Sequence, residues 1–428
     1  MCTTPCAAEP CATQTIVRDY TVTLVLETVQ QYQSFFQSDA FRNAYGECCK
    51  RASEATAVTA TVIQHIRKQF PSLSPQESTL IAELTNGMLY AIHKEKYSEG
   101  CLYVRHTLEQ TTSQSIAQYH ASRFVGCNHI LELCTGSASD TFALSTTAQR
   151  VTTIEHNALT CAIAEFNAAQ LGITNITFIN ADAQEFVQNE SLQQFDGLWA
   201  DPARRTTEKR VSTDATQYQP PLPWIMSVPI NGVCGIKISP AITLPSLPAD
   251  WKREWIGFRN ECREQLLWKN TECSDGAVRI VDAGAVWSPR ALAKTAAVYN
   301  DILGSPPAYI IEPHTALIRS GHLAEFYETN SIMLLDSTIA YGVSSTKPDS
   351  PFTDVFEILH VLPYSQKRLQ SVLHELQWNS RTEIKKRGIA QTPDEIRKHL
   401  TFPHTTTWGT VILTRVQGKP IMVICKRV

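Results

Sequence analysis

Ile130-Leu131-Glu132-Leu133-Cys134-Thr135-Gly136-Ser137-Ala138-Ser139-Asp140 decides the fold. It reads as an apolar strand running into a loop of small residues and then into a helix that begins near Thr141. Small residues there let the backbone approach a ligand at a helix N-terminus, which is what a nucleoside or dinucleotide cofactor needs. Downstream, short apolar strands alternate with helical stretches. With the first, from His129 to Cys134, they are Val151 to His156, Ile176 to Asp182, Gly197 to Pro202 and Val233 to Ser239. Such alternation predicts parallel strands joined by helical crossovers, hence an α/β, Rossmann-like doubly wound sheet. Open sheets of this kind bind ligands outside the carboxyl ends of their strands, so the residues closing each strand are the candidate site.

The second strand ends at Glu155, about twenty residues beyond the loop, where ribose-binding sites place a carboxylate. The third ends in Asn180-Ala181-Asp182-Ala183, an acid followed by a small residue, suited to an adenine amino group. The fourth ends in Asp201-Pro202-Ala203-Arg204-Arg205. Acids at Glu132, Glu155, Asp182 and Asp201 fit a cationic sulfonium cofactor better than NAD, whose pyrophosphate they would repel. An NAD-dependent oxidoreductase shares the first strand, the loop and the second-strand acid, but needs neither Asp182-Ala183 nor Asp201-Pro202. The predicted cofactor set is Glu132, Thr135, Gly136, Glu155, Asp182, Ala183 and Asp201. On the acceptor side, Asp201 would take a proton or hydrogen bond from a target base. Pro202 stiffens that turn, and Arg204 and Arg205 would hold a phosphate or base edge. Lys237 and Ser239, closing the fifth strand, also face the site.

At 428 residues the chain is too long for one core of ordinary size, roughly 100 to 200 residues. Hydrophobic residues at 43% and charged residues at 18% describe a globular chain and exclude a disordered one. Residues 1–125 read as a helical module. Leu24, Val25, Thr28, Val29, Tyr32, Phe35 and Phe36 recur at helix spacing, as do Val58, Val62, Ile63, Ile66 and Phe70. Ser74-Pro75-Gln76-Glu77 then starts a helix with a capping box. Residues 126–250 hold the alternating strands. Residues 251–350 read as an intermediate α+β segment, with strand residues from Ala277 to Val286 and a helix from Pro289 capped by Ser288. Residues 351–428 form a compact α+β end. It has strands at Phe356 to Leu362 and Glu383 to Lys386, a helix from Ser365 to Leu376 and a capping box at Thr392 to Glu395. Its hairpin turns at Gln417-Gly418-Lys419.

The net charge of -3 conceals an asymmetry. Residues 364–428 carry twelve Lys or Arg against four Asp or Glu, a net of +8, which leaves 26 against 37, or -11, for the remainder. A basic end on an acidic body predicts a polyanionic partner. Thirteen cysteines, an odd number at irregular spacing, predict no disulfide framework and a reducing compartment, the cytoplasm. Cys2, Cys6 and Cys11 match neither zinc nor iron–sulfur spacing, so no metal is expected, and Cys48 and Cys49 read as small buried hydrophobes. A secretory leader and a membrane-spanning run are both missing from the pattern.

Several stretches together resemble the bacterial class I S-adenosylmethionine-dependent methyltransferases that carry a THUMP-like C-terminal domain. These are Leu108-Glu109-Gln110-Thr111, Tyr119-His120-Ala121-Ser122-Arg123-Phe124, the 132–140 loop and Asp201 to Arg205. Farther on they are Tyr309 to Pro313, Ile318-Arg319-Ser320-Gly321 and Glu383 to Gly388. The resemblance runs from about Leu102 to the end of the chain. It implies S-adenosylmethionine as cofactor and RNA, tRNA or rRNA, as substrate, because THUMP domains elsewhere bind RNA. Lys385, Lys386 and Arg387, helped by Arg415, Lys419 and Arg427, are then the expected RNA contacts. No membrane and no obligate protein partner are implied. One departure is Ala138-Ser139, where the family has a glycine pair. Alanine is tolerable if its φ is negative and costly if positive. That departure leaves open a catalytically idle RNA-binding protein. Covalent uracil-C5 chemistry needs a cysteine after the fifth strand, and the stretch offers only Cys234, at the wrong end. A base nitrogen or oxygen is the expected acceptor.

Overall fold

The computed structural model describes residues 26–55, 57–94, 96, 98–204, 218–244, 246–290 and 295–428, without the side chains of Ala55 and Arg204. Cys2, Cys6, Cys11, Leu24, Val25 and Arg205 lie outside the described residues. The chain divides into two compact units.

The first unit comprises the described part of Met1–Gln110 with Ala158–Gln170. Its helices are α1 (Val29–Gln37), α2 (Asp39–Ala55), α3 (Ala60–Gln69), α4 (Pro75–His93), α5 (Arg105–Gln110) and α8 (Ala158–Gln170). Their starts follow the capping chemistry of the sequence. Ser74 Oγ accepts from the Glu77 amide at 3.1 Å and Glu77 Oε2 accepts from the Ser74 amide at 2.7 Å, so two orphan donors at the start of α4 are satisfied reciprocally. Thr28 and Gln31 do the same for α1, with Gln31 Oε1 accepting from the Thr28 amide at 3.1 Å. Phe35, Phe36 and Phe41 cluster, and Phe36 meets Phe166 edge-on at 5.7 Å. Asn167 exchanges two hydrogen bonds with the Leu102 backbone, at 2.7 and 2.9 Å. Cys48 is buried and Cys49 half-buried.

The second unit, Thr111–Asn157 with Leu171–Val428, opens on α6 (Gln114–Ser122). It is built on two sheets. In the first, β1 (His129–Leu133), β2 (Arg150–Glu155), β3 (Ile176–Asn180), β4 (Gly197–Ala200) and β7 (Val233–Ile238) run parallel in the order β3-β2-β1-β4-β7. All five residues of β1 are buried, as a parallel strand covered on both faces requires. Helices α7 (Ser139–Leu144), α9 (Ala183–Asn189) and α10 (Leu222–Ser227) lie between these strands in sequence, and β5 (Ala203–Arg204) pairs with β6 (Tyr218–Gln219) beside them.

The sheet continues through β9 (Glu261–Lys269), β8 (Trp251–Phe258), β10 (Ala277–Ile280) and β11 (Ala285–Trp287). Strand β9 is antiparallel to both β7 and β8. The reversal is made by Arg259 and Asn260, with φ of 51° and 61°, the paired left-handed residues of a two-residue hairpin turn. The second sheet has the order β13-β14-β12-β15-β18-β17-β16. Its strands are β12 (Tyr309–Pro313), β13 (Met333–Asp336), β14 (Ile339–Ser344), β15 (Thr353–Pro363), β16 (Glu383–Lys386), β17 (Thr410–Val416) and β18 (Lys419–Arg427). Helices α11 (Thr315–Ser320), α12 (Leu323–Thr329), α13 (Gln366–Glu375) and α14 (Pro393–Arg397) complete it.

Residues 251–350 therefore do not stand as a segment of their own. Strands β8 to β11 extend the first sheet and β12 to β14 belong to the second, because each supplies backbone partners that an edge strand of those sheets would otherwise lack. The helix expected from Pro289 falls mostly on residues 291–294, outside the described residues, and residues 295–300 are not helical. Among the described residues no helix is long and apolar enough to cross a membrane.

Candidate cofactor and acceptor site

The carboxyl ends of β1 to β4 and β7 bring the predicted residues to one edge of the sheet. The loop after β1 is tightly wound, with Cys134, Gly136 and Ala138 at φ of 70°, 52° and 61°. A Cβ on Gly136 would meet nothing within 4 Å, so the loop has open space over it. Glu155, buried at the end of β2, accepts from the Gly136 amide at 3.0 Å through Oε2 and from the Asn157 amide at 2.9 Å through Oε1. Oε1 also lies 3.3 Å from His156 Nδ1, whereas Oε2 keeps a second lone pair for a ribose hydroxyl. Thr135 meets Thr153 hydroxyl to hydroxyl at 2.5 Å. Asp182 caps α9, its Oδ1 accepting from the Gln184 and Glu185 amides at 2.8 and 3.1 Å, and Ala183 is buried beside it.

Glu132 is not at a strand end. It sits within β1, only 1% exposed, and its Oε2 has no hydrogen-bond partner in the structure. Burial raises its pKa to about 8 against the pull of Thr141 and Thr153. An orphaned buried oxygen on the strand that leads into an open glycine loop is a candidate partner for the ammonium end of an amino-acid-bearing nucleoside. The residues present fit S-adenosylmethionine: Glu155 would hold the ribose, Asp182 and Ala183 the adenine, and Gly136 and Glu132 the methionine end.

Ala138 settles the question raised by the missing glycine pair. At φ 61°, ψ 17° and fully buried, it is left-handed, which costs a residue bearing a Cβ roughly 1–2 kcal/mol. Ser139, at the second glycine position, donates to the Thr112 carbonyl at 2.9 Å, and Ser137 accepts from Thr111 at 2.8 Å, so side chains brace the loop. Relief of strain in Ala138→Gly exceeds the added backbone entropy of roughly 0.5–1 kcal/mol. The variant is expected to gain up to about 1 kcal/mol in urea unfolding, and a loss of stability would show that the alanine is unstrained.

On the acceptor side, Lys237 near the end of β7 reaches across to Asp201, Nζ to Oδ2, at 2.7 Å, and also donates to Thr112 at 3.0 Å. The Asp201 side chain is 35% exposed, open on one side. Burial pushes its pKa up, the Lys237 ammonium pulls it back, and Asp140 and Glu264 push it up again, leaving it raised. Burial would lower the Lys237 pKa, but Asp201, Glu264 and Asp140 outweigh that and raise it. Pro202 is buried. Ser239 is also buried, and its amide donates to the Tyr218 hydroxyl at 2.8 Å. Arg204 lies on β5, but its side chain and all of Arg205 lie outside the description. The Cys234 thiol faces the Gly232 and Ile230 carbonyls and burial raises its pKa to about 11, so it is no nucleophile.

Sequence reasoning missed His120, Thr112, Asp140 and Glu264. His120 is fully buried, with Nδ1 2.8 Å from Asp140 and Nε2 2.5 Å from Glu264. Asp140 also accepts from Thr112 at 2.8 Å.

The cations expected to meet RNA need correction. Lys385 pairs with Glu312 at 2.6 Å, and Arg387 lies 3.6 Å from the same carboxylate with its guanidinium over the Tyr341 ring. Lys386 donates to the Ile389 and Ala390 carbonyls. Lys385 and Arg387 are thus held by an acid on β12, and Lys386 by backbone carbonyls. Of the expected contacts, Arg415 and Lys419 around the hairpin are exposed, as are Lys367 and Arg368 on α13. Arg427 is half exposed and pairs with Asp354 at 2.8 Å. Trp408 is 52% exposed, with the Arg381 guanidinium over its ring.

Two family models match the chain, THUMP domain-like over residues 353–427 and Conserved hypothetical protein 95 over residues 104–215. No curated protein matches it in sequence. Among solved structures it is similar to a candidate methyltransferase of Porphyromonas gingivalis W83. The identity is 19%, over 83% of this chain and 92% of that one, with a TM-score of 0.69. Looser similarities link it to the candidate methyltransferase yhhF of Escherichia coli, 16% identical over 37% and 84% of the two chains with a TM-score of 0.27. A 16S rRNA methyltransferase of T. thermophilus is 12% identical over 38% and 44%, with a TM-score of 0.30. The long match spans both sheets, and with the C-terminal family model it shows that the chain has a class I S-adenosylmethionine-dependent methyltransferase fold followed by a THUMP-like domain.

Proposed function

We propose that the chain transfers a methyl group from S-adenosylmethionine to a nitrogen or oxygen of a base in structured RNA, tRNA or rRNA, in the cytoplasm. The observation that carries this reading is Asp201, a carboxylate held by Lys237 beside the cofactor loop and open on its other side. The cofactor supplies the methyl group on a sulfonium, so the protein's task is to hold the acceptor in line with it. Asp201 accepts a hydrogen bond from the acceptor and takes up the proton released on transfer, Lys237 fixes the carboxylate, and Pro202 stiffens the turn. Arg204 and Arg205 are placed by sequence to hold a phosphate or base edge.

The THUMP-like end supports RNA as the substrate through its exposed cations and through Trp408, on which an unstacked base can lie. Phosphate contacts release counterions, with a slope near -0.7 per neutralised phosphate on single strands. Replacing Lys367, Arg368, Arg415 and Lys419 by Glu is expected to weaken RNA binding and flatten the log–log salt slope by up to about 3. Cofactor affinity should stay unchanged. Parental binding and slope in that variant would remove the RNA part of the reading. An idle RNA-binding protein would share this salt behaviour but bind no cofactor in calorimetry.

A further inference from the structure

Asp201 is one end of a longer structure. Asp201, Lys237, Thr112, Asp140, His120 and Glu264 are joined in series by hydrogen bonds of 2.7, 3.0, 2.8, 2.8 and 2.5 Å. They come from the turn after β4, from β7, from the linker before α6, and from α7, α6 and β9. The donors are fixed by the groups themselves. An ammonium only donates and an ionised carboxylate only accepts, so Thr112 accepts from Lys237 and donates to Asp140. His120 has a carboxylate at each ring nitrogen, so it donates from both and is an imidazolium. Burial alone would favour the neutral ring, but Glu264 and Asp140 outweigh it and raise its pKa to about 9. Facing the ring are Asp140 from α7, Glu264 from β9 and the Trp199 indole from β4 at 4.5 Å, with Lys237 of β7 the next charge beyond Asp140.

The series ends at Glu264, which is buried. A closed end has no solvent to pass a proton to, so the series holds charge in place and does not conduct it. Asp140, reached through Thr112, and Asp201 stand on either side of a single ammonium. In a buried site an unpaired carboxylate is strongly disfavoured, so the two compete for Lys237 unless one has a cation of its own. His120 supplies that cation to Asp140, whose pKa is lowered by it against the effect of burial.

We infer that His120 is a positioning residue for Asp201: neutralising Asp140 from behind, braced by Glu264, it leaves the Lys237 ammonium to Asp201 and fixes that carboxylate toward the acceptor. The catalytic consequence rests on the methyl-transfer reading, whereas the electrostatics do not. Two measurements on the full chain separate them. One is carboxyl-carbon NMR titration of Asp201, assigned with Asp201→Asn. The other is tritiated-methyl transfer to RNA from a strain lacking the gene. In His120→Gln, Asp140 draws the ammonium away, the Asp201 midpoint rises by about one pH unit or more, and kcat falls about tenfold or more. The KM for the cofactor should hold within about twofold. The double variant His120→Gln/Asp140→Asn removes the competitor with its counter-ion and should restore the midpoint and most of kcat. A merely structural histidine would give a double variant worse than the single one. If His120→Gln does not fold, Glu264→Gln reads the same device. It should lower the ring's titration, followed by imidazole nitrogen NMR, by about one unit or more from near pH 9, and the alkaline limb of kcat should follow. A wild-type chain inactive on RNA would refute the acceptor reading and leave the titrations to decide this one. An Asp201 midpoint unmoved in His120→Gln, one not restored in the double variant, or a ring titration unmoved in Glu264→Gln would overturn it.

Discussion

Asp201→Ala is expected to lower kcat roughly 10²- to 10⁴-fold while S-adenosylhomocysteine binds within about threefold of its parental affinity. The split follows from where the carboxylate stands. Its Oδ2 is held by Lys237 at 2.7 Å and its side chain is 35% exposed, so in the proposed function the group acts on the nucleophile. Removing it leaves Lys237 without the carboxylate it faces and the acceptor without a hydrogen-bond partner. The parental pH profile carries the same signature. Because burial outweighs Lys237 and leaves the Asp201 pKa raised, turnover should fall on acidification with a midpoint above the ordinary aspartate range near 3.9. Asp201→Ala, measured in single turnover, should lose that acid limb along with the rate. A folded variant with parental turnover would make Asp201 structural.

Glu155→Ala is expected to weaken S-adenosylmethionine binding about ten- to hundredfold, the loss of charge-assisted hydrogen bonds worth about 1.5 to 3 kcal/mol. Two backbone amides, Gly136 and Asn157, already orient the carboxylate at 3.0 and 2.9 Å, so it is preorganised for a diol. The substitution also frees the Gly136 amide, which loosens the loop. Glu155→Gln separates the two effects, since it keeps an acceptor for the loop and loses only the charge, and its calorimetric loss should lie between parent and alanine. Equal affinities in all three proteins would take Glu155 out of the site.

The parallel core was legible because strands such as β1 and β4 are short, largely apolar runs followed by polar residues, and those polar ends make up the candidate site. Strands β8 and β9 were not, because Trp251–Phe258 carries Lys252, Arg253 and Glu254 in succession, and the strand residues expected from Ala277 to Val286 say nothing about which sheet they join or in which direction. The hairpin at Arg259 and Asn260 carries no glycine to announce it. The polar series failed for a different reason. His120 and Glu264 are 144 residues apart, and only the folded sheet brings them together. Charge counting misled at the C-terminal end in the same way. Lys385 adds to the basic excess, but its partner Glu312 lies 73 residues upstream, so the excess overstates what reaches solvent.

The central claim is tested most directly by mass spectrometry of nucleosides from tRNA and rRNA of a strain lacking this gene, beside its parent and a strain carrying Asp201→Ala. The account predicts one methylated nucleoside present in the parent, missing from the deletion and equally missing from the Asp201→Ala strain, with the methyl group on a base nitrogen or oxygen. Identical nucleoside profiles in all three strains would contradict it.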